Sequence, residues 1–504
     1  MTIQGTRPIE GTNTIRNSGI FLLLRMIEAA TGFLIAFVIP RLMGPEVYGH
    51  YVLIASLSLL FMLASTLGFM PVLGRYVPQF IKNGELQALR LFFSNLFFLR
   101  FCSAFLCAAG FLFFTTTWLR DISPQILQLA SLAMFSRSLS HFTFNLFLGL
   151  DQANKWGIGD IIRRFLSLVL VAVGFWLGEL WGAMFAWLII EILVLGLGLW
   201  WVREYFTWPN ILQKPGAMLP YLRFGLVFFG SNLFLSAFER SGEALVRMVA
   251  HDYIQVGYYG LAYNIYLAVG IALPEFALAF GPWLTTRKLE NQTTIIRLWT
   301  ERLVKWMTIG SIAIIFATLL LADSVVPVIL GEVYRPVAGY LIPLSLSLPF
   351  VVLGGVARLL SLVFERPQHV LLATMFELGV FWAISIPLIA WKGGFGASIA
   401  FFAASAVYGS YMTYRLKKQL PYSLNSWFHV ILTAAIFIPL VWLRADVWVN
   451  MVLFLVFILG YGTLLYGFKL VTREETVTFW QAFIFIGNPK QMTLNGLNTP
   501  DTAK

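Results

Sequence analysis

Arg137, His141 and Asn145 recur every four residues inside the apolar run at 124–149, so a helix through that run carries them as one polar stripe near mid-membrane. Hydrocarbon cannot solvate such a face, and it must look inward. Ionisable side chains inside a lipid span are disfavoured by about 2.5–3.5 kcal/mol each even on a lenient scale, and they tend to face a bundle interior or an aqueous cavity. The sequence has ten at such positions: Arg25, Arg100, Arg137, Arg240 and Arg358, against Glu28, Glu191, Glu239, Glu275 and Glu377.

Each of these groups has a structural reading and a functional one. Arg25 and Glu28, three apart, either neutralise each other or face a site together. Arg358 lies near the end of its run, where snorkelling to the interface is the simpler account. Arg240 has Glu239 beside it and Glu243 three residues on. Arg100 and Arg137 have no acid within four residues of their own run. Either they pair with glutamates of other helices (Glu191 or Glu28 for Arg137) or they await an anion. A guanidinium stays charged and forks onto phosphate oxygens, so the ligand class indicated is a phosphate or diphosphate on a lipid tail, its head group enclosed in a polar cavity. The glutamates either couple a proton or sodium gradient or only neutralise arginines.

Nothing in the sequence points to catalysis. It has no Walker-type glycine loop, no H-E-x-x-H and no G-x-S-x-G. Cys102 and Cys107 share one apolar run and read as small core residues, and His50, His251, His369 and His429 fall near segment ends. No enzyme, metal site or cofactor is expected.

The elements that hold these residues are membrane spans. Of 504 residues 59% are hydrophobic and only 12% charged, with a mean hydropathy of +0.79; a soluble globule carries about twice that charge. The net charge of +11 does not indicate nucleic acid, because the basic residues sit in short loops between apolar runs. Fourteen such runs can be traced: 18–40, 47–71, 89–116, 124–149, 158–178, 180–201, 220–243, 254–284, 303–322, 337–360, 369–390, 393–414, 427–443 and 448–468. With the N-terminus in the cytoplasm, 24 of the 35 Lys and Arg, Arg163 and Arg164 among them, fall on the cytoplasmic side and six on the other. That bias puts both termini inside. The expected fold is all-α and polytopic, with about 14 transmembrane helices. The first 17 residues show no separate signal core, so the first span is expected to be retained.

The run at 18–40 ends in a stiff corner, Arg41 to Glu46 with Gly44 and Pro45, followed by Gly49-His50-Tyr51. Six runs later Arg247-Met248-Val249 leads to Gly257-Tyr258-Tyr259. The echo predicts a parallel internal repeat. It divides the chain into a cytoplasmic tail (1–17), a six-helix bundle (18–201), a second one (218–414), two added spans (427–468) and a cytoplasmic tail (469–504). The stretch 285–302 mixes basic and apolar residues and is expected along the inner membrane surface. The tail, with one apolar patch at 479–486, is expected to be largely disordered.

Arg41-Leu42-Met43-Gly44-Pro45-Glu46-Val47-Tyr48-Gly49-His50-Tyr51 resembles the first-hairpin signature of the polysaccharide-transport and O-antigen flippase branch of the multidrug/oligosaccharidyl-lipid/polysaccharide exporter superfamily. Ser18-Gly19, the stretch from Gly68 through Arg75-Tyr76-Val77-Pro78, and Val256 to Ala262 fit as well. Ala250-His251-Asp252-Tyr253 departs from the usual short apolar-glycine stretch before the eighth span. The resemblance spans about 18–470. It implies two six-helix bundles around a central cavity, with Arg25, Arg100 and Arg137 among the cationic residues typical of the first. The substrate implied is an undecaprenyl-diphosphate-linked oligosaccharide, moved between leaflets of the inner membrane. Polysaccharide polymerase and chain-length regulator are candidate partners, besides the lipid-linked glycan and the bilayer. The competing classes are a cation-coupled drug or metabolite antiporter, a polymerase or ligase of polysaccharide assembly, and a scaffold. Midplane arginines favour an anion over a cationic drug, outer loops of no more than about 15 residues leave no room for a catalytic domain, and a scaffold has no need of buried arginines.

Overall fold

The computed structural model describes residues 11–210, 215–270, 273, 277 and 280–476, without the side chains of 11–30, 153, 215, 217, 227, 228, 282 and 367. Among the described residues all regular structure is helical. The helices are α1 (Gly11–Ala64), α2 (Phe69–Lys82), α3 (Leu86–Trp118), α4 (Pro124–Gly149), α5 (Ala153–Leu166), α6 (Ala172–Val202), α7 (Leu219–Arg240), α8 (Gly242–Ala250) and α9 (Tyr253–Gly270). They continue as α10 (Gly281–Leu289), α11 (Thr293–Leu330), α12 (Pro336–Leu346), α13 (Leu348–Val363), α14 (Pro367–Lys392), α15 (Gly394–Lys417), α16 (Asn425–Ala435) and α17 (Val447–Gly467). Among the described residues eight stretches are long and apolar enough to cross a membrane, or up to ten if each of two bent pairs is one span. The protein is a polytopic membrane protein.

Breaks fall where the backbone demands them. α1 kinks at Gly44, whose φ of 73° is open to glycine at little strain, with Pro45 next to it lacking the amide that would continue the helix. α6 breaks at Gly178–Glu179. α12 and α13 meet at a 41° bend at Ser347, beside Pro349, which removes an i→i−4 bond. The run at 337–360 was expected as a single span, since hydropathy does not register the bend.

Two close approaches join the first half of the chain to the second. A methyl group on Gly49 would lie 2.0 Å from the Tyr253 carbonyl oxygen, and one on Gly257 would lie 2.1 Å from that of Pro45. Gly68 and Gly225 meet the same way: a methyl on either would fall 2.0 Å and 2.8 Å from the other's carbonyl oxygen. At the helical rise the two pairs stand about 28 Å apart along the chain, close to the thickness of a bilayer core. The halves are therefore in backbone contact at two levels, at the corner and at the turn after α1. At the corner end, Arg247 adds an ion pair to Asp121 (2.9 Å) and lies over the Tyr253 ring, on which His50 stacks with centroids 3.6 Å apart. Arg41 donates to the Ile329 carbonyl, and the Tyr334 hydroxyl donates to that of Pro40 (2.6 Å).

Three boundaries differ from expectation. Residues 11–17 of the expected tail form the first turns of α1, because helix formation does not stop where the apolar run begins. The stretch 285–302 is not one surface helix. It comprises the end of α10 and the start of α11, with Ile296 and Trp299 buried in a core cluster with Leu303. The start of the expected C-terminal tail is docked: Glu475 accepts from Lys305 at 2.7 Å and lies 4.0 Å from Arg302. The apolar patch at 479–486 lies outside the described residues.

Candidate functional site

α3, α4 and α7 converge with the turn before α2 on a cavity of about 240 Å³. Its polar wall is Arg100 from α3, His141 and Asn145 from α4, and Asn232 and Ser236 from α7. Arg100 is only 1% exposed, the first of the large fully buried side chains. Its Nε and Nη2 donate to the Ser138 carbonyl at 3.2 Å each, while Nη1 is buried without a hydrogen bond. Among the described residues Arg100 forms no ion pair, so α3 presents an uncompensated cation at the cavity wall. Asn145 accepts from the Trp156 indole (3.2 Å) and lies 3.1 Å from His141 Nδ1. If the Asn145 amide donates there, His141 keeps its proton on Nε2 as a donor. The wall thus sets one unbonded guanidinium donor beside groups that can both donate and accept.

Arg137 takes a different course. One turn before His141, it reaches toward Glu191 of α6, its Nε 3.8 Å from the carboxylate, with its side chain 29% exposed. Glu191 is fully buried and closer to a second arginine: Arg163 donates to it at 3.0 Å, the Trp187 indole at 3.3 Å. Arg163 also bonds Ser140 (3.0 Å) and pairs with Asp160. Arg164 lies across α1, where a methyl on Gly32 would fall 2.6 Å from its Nη1, one turn after Glu28. The cluster of Arg137, Arg163, Glu191 and Asp160 is balanced in charge, whereas Arg100 stands outside it.

A second cavity, of about 170 Å³, lies further along α7. Glu239, Glu377 and Arg358 line it with Tyr263, Tyr266 and Tyr408. Glu377 is 3% exposed and one of its oxygens has no hydrogen bond. Leu235 borders both cavities, so a shift of α7 alters the two together.

Residues 14–286 match the family described as polysaccharide biosynthesis protein. The chain belongs to that family. No curated protein matches it by sequence. In fold it is similar to lipid II flippase MurJ in an inward closed conformation, with a TM-score of 0.70 at 13% identity over 91% of this chain and 100% of that one. It is also similar to an inward-facing multidrug resistance MATE family transporter of the MOP superfamily (TM-score 0.62, 14% identity, 81% of this chain and 98% of that one). The Vibrio cholerae MATE transporter VcmN follows at 0.57, 11% identity, with 81% of this chain and 98% of that one covered. The fold is thus one shared with solved flippase and MATE transporter structures.

In this polysaccharide biosynthesis protein, the cavity gathers three of the five residues singled out as substrate-binding: Arg100, His141 and Asn145. Arg137 is turned to Glu191, and the side chain of Arg25, like that of Glu28, lies outside the described set. Glu275 lies outside the described residues altogether. Arg358 lines the second cavity with Glu239 of α7 and Glu377 of α14, where snorkelling was expected. Arg163, counted with the cytoplasmic loops, is buried. The spacing Asp160-x-x-Arg163 just inside the apolar run at 158–178 was a visible sign of this.

Proposed function

We propose that this protein is a flippase that carries a lipid-linked oligosaccharide or polysaccharide repeat unit, its lipid an undecaprenyl diphosphate, from the cytoplasmic to the outer leaflet of the inner membrane. The observation that carries this reading is the buried Arg100 with an unbonded Nη1 at the wall of the first cavity, beside His141 and Asn145. A cation without a carboxylate inside a membrane protein needs an anion, and a diphosphate bound there would leave its lipid tail in the bilayer. The family match supports the polysaccharide context and the fold supports transport without catalysis. Arg137, part-exposed one turn away, and Arg25 are the further contacts proposed for the head group. Glu239 and Glu377, at the second cavity, are proposed to couple an ion to the cycle.

The architecture proposed is fourteen spans, with 18–201 and 218–414 as two similar six-helix bundles and 427–468 as two added helices. The kinks at Gly44 and at Gly178–Glu179 support this count by dividing single long helices into pairs. Both termini are placed in the cytoplasm. Reporter fusions after Lys82, Lys155 and Lys418 should then report cytoplasm, and fusions near Arg120, Lys392 and Arg444 the outer side. One clear inversion removes the fourteen-span map.

The function is tested with purified protein in vesicles bearing a fluorescent lipid-diphosphate sugar. Bleaching by an impermeant reductant should pass beyond the outer-leaflet share only where the protein is present. Bleaching no deeper than in empty vesicles would refute the flippase, and equal movement of an uncharged lipid-linked sugar would refute the anion site.

A further inference from the structure

Glu239 of α7, Arg358 of α13 and Glu377 of α14 meet at the second cavity, and among the described residues none of the three makes a hydrogen bond or an ion pair. Glu377 is almost fully buried, and one of its oxygens is enclosed without a donor. The rest of the wall is aromatic. Tyr263 and Tyr266, three apart on α9, set their rings side by side at 6.0 Å, with the Phe401 ring of α15 edge-on to them at 5.5 and 5.4 Å. The Tyr263 hydroxyl is buried and also unbonded, whereas that of Tyr266 accepts from Ser347 at 3.2 Å. Tyr408 closes the wall on the side of Arg358. Its ring lies against Gly354, one turn earlier on α13, where a methyl group would fall 2.3 Å from Cε1.

Buried polar groups without partners are disfavoured, and their types state what would answer them. A metal cation answers the carboxyl groups and leaves Arg358 unmet, and an anion does the reverse. A hydroxylated ring answers both. Its hydroxyls donate to carboxyl oxygens and accept from the guanidinium, and the Tyr263 hydroxyl can do either. Its C–H faces lie against aromatic rings, and aromatic walls with a few convergent polar groups are what ligand pockets are made of. We infer that the second cavity is a carbohydrate subsite, which receives the sugar next to the diphosphate. This rests on reading the first cavity as the diphosphate site. The two cavities follow one another along α7: Asn232 and Ser236 line the first, Glu239 the second, and Leu235 both. From Asn232 to Glu239 is about 10 Å at the helical rise, so the sugar borne by a diphosphate at Arg100 comes within reach of the second cavity.

The test is equilibrium binding to the purified full chain in detergent. The probes are undecaprenyl diphosphate and the same lipid carrying one glucose, galactose or N-acetylglucosamine. The wild type should bind at least one sugar-bearing lipid about tenfold or more tightly than the bare lipid. Arg358→Met and Glu377→Gln should each bring that ratio toward one, while Arg100→Met weakens every probe and keeps the ratio. An ion held at the carboxyl groups would act on all the probes alike, so the ratio reads the sugar alone. Equal affinity of the wild type for every probe overturns the carbohydrate subsite and leaves the flippase proposal standing, whereas no binding of any probe removes both. A ratio unmoved in Glu377→Gln overturns the subsite as well, and that variant decides if Arg358→Met fails to fold. If both fail, Tyr263→Phe, which removes only the unbonded hydroxyl, decides in the same way.

Discussion

Replacing Arg100 with methionine should abolish glycan export while leaving the amount of folded protein near normal. The two halves of that expectation come from the same geometry. Arg100 is fully buried and bonded only to the Ser138 carbonyl, with Nη1 unbonded at the cavity wall. A lone buried charge gives the unliganded protein little, and replacing it with an apolar side chain of similar length is often neutral or stabilising. The bound complex is different. Truncating one partner of a desolvated, hydrogen-bonded charge pair removes about 2–5 kcal/mol, a factor of about thirty to several thousand in binding. Arg100→Lys should recover part of the export, since lysine keeps the charge and loses the fork. The measurement is glycan export normalised to membrane protein level. Normal export by well-expressed Arg100→Met would dismiss Arg100 as a contact.

That expectation moves the centre of the site by about one turn of α4 and across to α3, and the move shows what the sequence could and could not display. The stripe Arg137, His141, Asn145 was legible because a four-residue period is a property of one helix. Two of its three members reach the cavity. The third does not, because Glu191, a whole hairpin away in the chain, competes for it. Periodicity names the face of a helix but not the residue on the neighbouring helix that meets it. Arg163 shows the same limit from the other side. It sits at the edge of an apolar run, where charge usually means a loop, but α5 carries it into the interior, where it bonds Ser140 of α4 and Glu191 of α6.

The corner was legible for a different reason. Gly44 and Pro45 state their backbone requirement locally, and the kink lies at Gly44. The echo at Gly257 was legible as a pattern, but not its consequence, that Gly257 and Gly49 stand against each other's corners. Glycines chosen for close approach look like any others until both surfaces are present.

Glu191→Gln should lower the stability of the protein more than any change at Arg137. Glu191 has no exposure and serves two arginines and an indole. Removing its charge leaves Arg163 buried with only Asp160, which is 36% exposed. Breaking a buried pair from one side costs about 3–5 kcal/mol, a large part of the roughly 5–15 kcal/mol that holds a typical domain together. The expected reading is a lower midpoint of thermal unfolding in detergent and a smaller monodisperse fraction. A double-mutant cycle separates the two arginines. The coupling of Glu191 to Arg163, at 3.0 Å, should exceed its coupling to Arg137, at 3.8 Å and part-exposed. Arg137→Met alone should therefore cost little stability, since Glu191 retains Arg163, and any fall in its export then reports contact with the head group. Should the Arg137 coupling prove the larger, Arg137 is a structural partner of Glu191 and leaves the proposed binding site, which then rests on Arg100, His141 and Asn145.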